Sequence, residues 1–322
     1  MFIENVREKM QEELTLVSNT DKDNLSHLAR TESDACELGL FVLSDIRDEV
    51  MSVIEPLYRS GLGVYDLFSY IEGAVSICRA NVLDKDTAFP SLVSAQLSVR
   101  SSLDKGAFCK LLADGLEKLG IGESDFLPTE DRIGSFTYVK NTFADEAYDV
   151  LSSDYEDARV KYSRDFAECA RLLYNRDVSY VLLPFEEKGG TRLPSVAELI
   201  YRNDFKVVAV TPVFGPDGTA DLKYALLSNS FTVPEISSLD DRYLEIRLSD
   251  GKNELASLLS VAVMLGHTIY RVNTHSFIAK EDKESFFSVV IRDEGRSFLP
   301  LLTYLTMFVT DYVPQGIYKN LE

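Results

Sequence analysis

KVVAVTPVFGPDGTADLKYALLSNSF, residues 206–231, carries the turn on which the fold of this chain depends. Two β-rich runs flank Phe214-Gly215-Pro216-Asp217-Gly218. Proline presets one turn angle and glycine accepts positive φ, so Pro-Asp-Gly between such runs marks a tight reversal. The pattern predicts that Lys206–Phe214 and Leu222–Phe231 pair as adjacent antiparallel strands.

Upstream of this turn, strands and helices alternate. Arg132–Val139, Ala158–Tyr162 and Tyr180–Leu183 read as strands, the last running into Pro184. Phe143–Leu151, Asp165–Tyr174 and a helix opened by Pro194 lie between them and Lys206. That order predicts a mostly parallel sheet with right-handed crossovers. Downstream, Tyr243–Tyr318 reads as β-α-β-β-α-β, with a polar connection at Lys280–Lys283. Helices on one side of a four-stranded antiparallel sheet are the ferredoxin-like solution.

Residues 1–130 read as helical. Leu43, Ile46, Val50, Val53, Ile54 and Leu57 recur at three- and four-residue spacing, and further amphipathic runs cover Tyr65–Val82 and Lys105–Leu119. Gly120 and Gly122 suit a helix end, and Ile121–Asp131 is the best linker candidate. The expected domains are therefore 1–130, helical; 131–235, an α/β lobe; and 240–322, the ferredoxin-like unit.

Composition narrows the partners. A formal net charge of −19 opposes nucleic-acid backbones and anionic membranes. No apolar run reaches the roughly 18–20 residues of a membrane span. Met1–Glu8 lacks the basic and apolar blocks of a signal peptide, so the expected location is cytoplasmic. Cys36, Cys78, Cys109 and Cys169 form no C-x-x-C pair and read as reduced thiols. Three scattered histidines and no carboxylate-rich loop leave no metal site, and no cofactor is expected.

The last unit resembles an ACT domain, a small-molecule sensing module. The match runs through Leu258-Leu259-Ser260-Val261-Ala262 and Ile269-Tyr270-Arg271-Val272-Asn273-Thr274-His275. Arg132–Phe231 resembles the first lobe of the prephenate dehydratase catalytic domain, a fold similar to type II periplasmic binding proteins. Phe143–Ala147, Val178–Glu186 and Asp221–Leu227 carry that likeness, and their order is its strength. The resemblance covers roughly the last 190 residues and implies a carbon–oxygen lyase of phenylalanine biosynthesis, an amino-acid effector and a homodimer formed through the ACT domain.

The chain departs from that family pattern at the residues that matter for chemistry. Family members insert a second lobe where Gly215–Gly218 turns here. Their Thr-Arg-Phe positions read Leu222, Lys223 and Tyr224, and Glu187 follows Glu186 where they have Asn. Leucine cannot hydrogen-bond a leaving hydroxyl, and lysine lacks the bidentate fork of arginine. Glu186, Glu187, Leu222, Lys223 and Tyr224 are thus remnant positions with no confident catalytic role. Lys188, Arg192 and Lys223 read either as a small basic patch or as solvated surface charges. The resemblance places effector contacts at Asn253, Glu254, Leu255, Asn273, Thr274 and His275, with Asn253 also a fair helix N-cap.

Asn5-Val6-Arg7-Glu8-Lys9-Met10 looks like the first helix of a chorismate mutase, but Arg30, Arg47, Arg59 and Arg79 sit among acids. The expectation is a non-catalytic prephenate dehydratase-like protein with an amino-acid-sensing or regulatory role. The alternative is an active dehydratase, fused or not to a divergent chorismate mutase, that converts prephenate to phenylpyruvate.

Overall fold

The computed structural model describes residues 101–127, 134–153, 155, 158–187, 190–215, 218, 220–234, 241–249, 254–279, 282–309 and 311–321, with 43, 44, 46–48, 50–52, 54–61 and 63. Expectations at Asn5–Met10, Tyr65–Val82, Cys36, Cys78, Arg30, Arg79, Pro216, Asp217, Lys188 and Asn253 lie outside the described residues.

Helix α1 (Ser102–Lys118) opens on a capping box between Ser101 and Asp104 and stops before Gly120, whose φ of +84° suits glycine. Short α2 (Glu123–Phe126) follows. Then come β1 (Ser135–Val139), α3 (Thr142–Leu151), β2 (Arg159–Ser163), α4 (Phe166–Tyr174), β3 (Tyr180–Glu187), α5 (Pro194–Arg202), β4 (Lys206–Phe214) and β5 (Ala220–Ser228). Asn141 and Asp165 cap α3 and α4 through their side chains, and Pro194 occupies the first turn of α5. The final elements are β6 (Arg242–Ser249), α6 (Glu254–Met264), β7 (Thr268–Ala279), β8 (Asp282–Arg292), α7 (Leu299–Phe308) and β9 (Tyr312–Asn320).

The nine strands among the described residues form one mixed sheet, in the order β2-β1-β3-β5-β4-β9-β6-β8-β7. The turn behaves as predicted: β4 and β5 run antiparallel, and Gly218 N donates to Gly215 O at 2.9 Å. The expectation of a mostly parallel sheet is corrected. Only β2-β1-β3 and the β4–β9 junction are parallel, because β5 returns between β3 and β4 and pairs antiparallel with both. That pairing also carries β3 beyond Pro184 to Glu187, with an irregularity between Pro184 and Glu186. Lys280–Lys283 is a tighter connection than expected, since Asp282 and Lys283 already pair with Ala279 and Ile278.

The last six elements have strand order β9-β6-β8-β7, fourth-first-third-second, the ferredoxin-like arrangement. Alternation along β6 assigns its two faces. Leu244, Ile246 and Leu248 pack with α6, α7, α1 and the helical positions Leu43, Ile46, Val50 and Ile54. Each such buried aliphatic side chain contributes about 1.5–3 kcal/mol. Tyr243, with Phe286, Val290 and Tyr318, instead joins the core built by α4, α5 and β3. Both faces of β6 are thus covered.

Two features weld the segments. Gly316 on β9 sits so close to β4 that a Cβ there would lie 2.2 Å from Val207 O. At the other end, Arg242 of β6 is fully buried between Glu123 of α2 and Asp293, at 2.5 and 2.7 Å. Glu123 also accepts from Phe298 N at 2.7 Å, satisfying a donor at the start of α7. The first part of the supposed linker is therefore core: Ile121, Glu123, Phe126 and Leu127 are buried, because α2 is pinned by this ion pair. Among the described residues, no helix is long and apolar enough to cross a membrane.

Candidate functional site

Glu186 lies on the third strand of the sheet and Arg271 on the ninth, yet their side chains form an ion pair. The sheet must curl to bring them together, in keeping with the right-handed twist of strands. The loop after β3 sits inside this curl. Glu187 N donates to Thr191 O at 2.9 Å, and Gly190 takes φ +81°, so the chain reverses and bridges Arg192 to Glu186.

Arg192 is thereby driven under the sheet. Its side chain is 2% exposed and the Glu245 side chain 0%. They meet as a fork, Nη1 to Oε1 at 2.5 Å and Nη2 to Oε2 at 3.0 Å. Arg192 also donates to Tyr201 Oη at 2.8 Å and lies 3.9 Å over the Phe185 ring. Ser288 and Tyr318 hydroxyls donate to Glu245 at 3.2 Å each. Arg271 donates to Gly190 O at 2.7 Å and to Glu186, which Arg192 approaches at 3.5 Å. The network satisfies most of its buried polar atoms, while the Nε atoms of Arg192 and Arg271 are buried without a hydrogen-bond partner.

The electrostatics follow from the pairing. Burial alone raises the Glu245 carboxyl, but Arg192 beside it holds it below the usual carboxylate range. Burial opposes the charge on Arg192 as well, and Glu245 overrides that to push it well above its ordinary value. Burial first, then the Glu245 charge, raises the Tyr318 hydroxyl.

Next to this network is a depression of about 260 Å³ of empty space, part of it open to solvent. It is lined by Glu186, Lys223, Tyr243, Tyr270, Arg271 and Asn320 among others. Of the remnant positions, Glu186 and Lys223 line it. Glu187 is exposed at the end of β3, opposite Leu222. Leu222 and Tyr224 turn to the other face and pack with α3 and β1. Period-two alternation makes this unavoidable: neighbours on one strand cannot serve one face. Tyr224 donates to Asn141 Oδ1 at 3.4 Å, and Lys223 donates to Asn320 Oδ1 at 3.3 Å.

Arg192 corrects the reading of solvated surface charges: it is buried because Glu245 holds it. It does not line the depression with Lys223, so the two form no basic patch there. Of the effector candidates, Glu254 and Leu255 open α6, where Leu255 packs on the helix-bearing core, and Thr274 is exposed. His275 lies on the opposite face against Tyr201 and Phe286, ring centroids at 5.1 and 5.4 Å. Asn273 shares the alternation of Arg271 and His275. The structure does not bring Leu255 and His275 together.

Sequence reasoning missed Glu245, Tyr201, Tyr318, Ser288 and Arg271 as partners. One signal was present: a carboxylate between Leu244 and Ile246 in an apolar strand needs a buried cation if its face is covered. Nor do α1 or the helical positions Leu43, Ile46, Val50 and Ile54 cover Glu186 and Lys223; they pack in the core with α6 and α7.

No protein-family model matches the chain, and no curated protein matches it. Solved structures do. The chain is similar to a prephenate dehydratase from Streptococcus mutans, at 14% identity and TM-score 0.46, over 58% of this chain and 99% of that one. It is also similar to GqqA, described as a novel type of quorum quenching acylase, at 15% identity and TM-score 0.42, over 59% and 95%. A third is a prephenate dehydratase from Arthrobacter aurescens in complex with L-Phe, at 11% identity and TM-score 0.43, over 58% and 90%.

Proposed function

We propose that this chain is a non-catalytic relative of the prephenate dehydratases, a binding or regulatory protein linked to phenylalanine biosynthesis. In this reading residues 131–235 are a single lobe, residues 240–322 an ACT module that pairs in a homodimer, and residues 1–130 a helical packing region. One observation carries it. The guanidinium fork of Arg192 is closed on the protein's own Glu245, and Arg271 is held by Glu186 through one nitrogen and by Gly190 O through another. Prephenate carries two carboxylates, and a buried guanidinium already paired with a carboxylate is a poor partner for either.

The position of Leu222 supports the same reading. It offers no proton to a leaving hydroxyl, and its side chain lies across the sheet from Lys223. The hairpin at 215–218 leaves no room between β4 and β5 for an enclosing second lobe, so water is not excluded from the depression.

The effector in this reading is an amino acid held where α6 begins, by Asn253, Glu254 and Leu255 with Thr274 on the same side. Asn273 and His275, on the other face, serve packing. A ligand that binds only the folded chain raises its stability by about 2.7 kcal/mol at a hundred times its Kd. L-phenylalanine at millimolar concentration is therefore expected to raise Tm, and sedimentation is expected to show a dimer. A monomer whose Tm ignores L-phenylalanine, L-tyrosine and L-tryptophan alike would overturn the regulatory role.

A further inference from the structure

The depression beside Glu186 is where the chain's charge reverses. The whole protein carries a formal net charge of −19, but the depression is lined by two cations, Lys223 and Arg271, against one carboxylate, Glu186. Arg192 and Glu245 behind it cancel each other, so the cluster keeps an excess of one positive charge.

The two lining cations differ. Arg271 donates to Glu186 and to Gly190 O, while its Nε is buried with no hydrogen-bond partner among the described residues. Lys223 stands directly opposite Glu186 across β5 and β3, yet Glu186 gives its oxygen to the two guanidiniums instead. Among the described residues Lys223 makes no ion pair; its ammonium donates to the neutral amide oxygen of Asn320. An ammonium has three donors and a full charge, so half-buried Lys223 has both to spare.

Size decides what can answer that charge. Open solvent makes up much of the depression, and the space a water-sized particle can occupy there is about 20 Å³. That is room for one such particle and not for an organic acid. Part of the lining is apolar: Phe185 and Val210 are buried, and Tyr243 stacks on Tyr318 at 5.8 Å and 21°. Such walls lower the local dielectric, so a charge beside them interacts more strongly than it would in water.

We propose that this depression is a halide site, seating one chloride beside the Lys223 ammonium with Arg271 as the second cation. A single-atom monovalent anion is close to water in size, and one negative charge cancels the local excess. Water fills the same volume but leaves the charge uncancelled. A dianion overshoots the balance and is repelled by Glu186. The strongly negative chain repels anions in general, so the site stands out against its surroundings. The inference goes beyond the regulatory reading and does not depend on it, since it shares no residue with the start of α6.

Chloride titrated into the full chain, with gluconate holding the ionic strength constant and the chloride NMR line width as readout, is the test. A protein-dependent excess width that titrates as a saturable site is expected. Bromide should displace it, and sulfate at the same ionic strength should not. Lys223→Met is expected to lower chloride affinity roughly ten-fold or more, as loss of a charged hydrogen bond does, and Lys223→Arg to retain it. Lys161→Met, which removes an exposed cation on β2, should change nothing. No saturable excess width overturns the proposal and leaves water as the occupant. So does Lys223→Met matching the parent, or Lys161→Met weakening binding as much as Lys223→Met. Sulfate displacing chloride as well as bromide does would overturn the size argument, and the proposal with it; that comparison needs only the parent chain. None of these outcomes bears on a Tm shift by L-phenylalanine, so the two proposals fail separately.

Discussion

Arg192 and Glu245 close a two-hydrogen-bond fork at 2.5 and 3.0 Å, joining the loop before α5 to the first strand of the C-terminal unit, 53 residues away in sequence. Both side chains are buried, so neither has water to fall back on.

Breaking one side of that fork should cost far more than removing both. Arg192→Met leaves a buried carboxylate unpaired and is expected to lower stability by about 3–5 kcal/mol. Arg192→Met combined with Glu245→Met should recover a substantial part, because two apolar groups of similar volume replace two charges. Urea unfolding of the two variants beside the parent measures both. A single-variant loss under about 1 kcal/mol would mean the pair is not buried as described.

The β4–β9 junction should be as sensitive to one methyl group. Gly316→Ala places a Cβ 2.2 Å from Val207 O, so backbone must move. A loss of about 2 kcal/mol or more is expected, in the range of overpacked cores. Gly122→Ala, with nothing within 4 Å of its Cβ, is the control and should cost little. Equal melting temperatures for the two variants would contradict the close approach.

Acid should weaken the fold through three groups. Burial holds His267 and His275 below the usual imidazole value, and Arg192 holds Glu245 below the usual carboxylate value. In each case the unfolded chain binds the proton more readily, so stability present above the unfolded pKa is lost as pH falls toward the folded one. Loss should begin below about pH 6.5 for the histidines and continue below about pH 4.3 for Glu245. Urea midpoints at pH 7.5 and 5.5 test the first part. His267→Asn should flatten the change, and a midpoint that rises on acidification would refute the assignment.

Lys223 should matter little to folding. It sits half-buried on β5 with a single 3.3 Å hydrogen bond to Asn320, so Lys223→Ala is expected to change stability by less than about 1 kcal/mol. A drop of several degrees in Tm would show a structural role that its contacts do not suggest.

The hairpin was legible because Pro216-Asp217-Gly218 carries its own turn chemistry, and the C-terminal unit because each strand alternates and each helix has an apolar face. Strand order in the middle was not. Nothing local says that β5 lies between β3 and β4, or that β9 joins β4. The β4–β9 junction depends on Gly316 permitting a close approach, a fact about two distant backbones. Arg192 was misread because arginine is almost never fully buried unless paired, and its partner lies on a strand that only the folded chain brings near. The same holds for Glu123: in a stretch with Gly122 and several acids it looked like linker, but Arg242 makes it core.

The central claim is that the two guanidiniums beside the depression, Arg192 and Arg271, are already paired with the fold's own carboxylates and leave too little free charge to grip a dianionic substrate. Pure full-length protein incubated with prephenate at neutral pH, with phenylpyruvate followed against a protein-free control, tests it most directly. The account predicts phenylpyruvate at the spontaneous rate only. Saturable, protein-dependent formation that Lys223→Ala abolishes would contradict it.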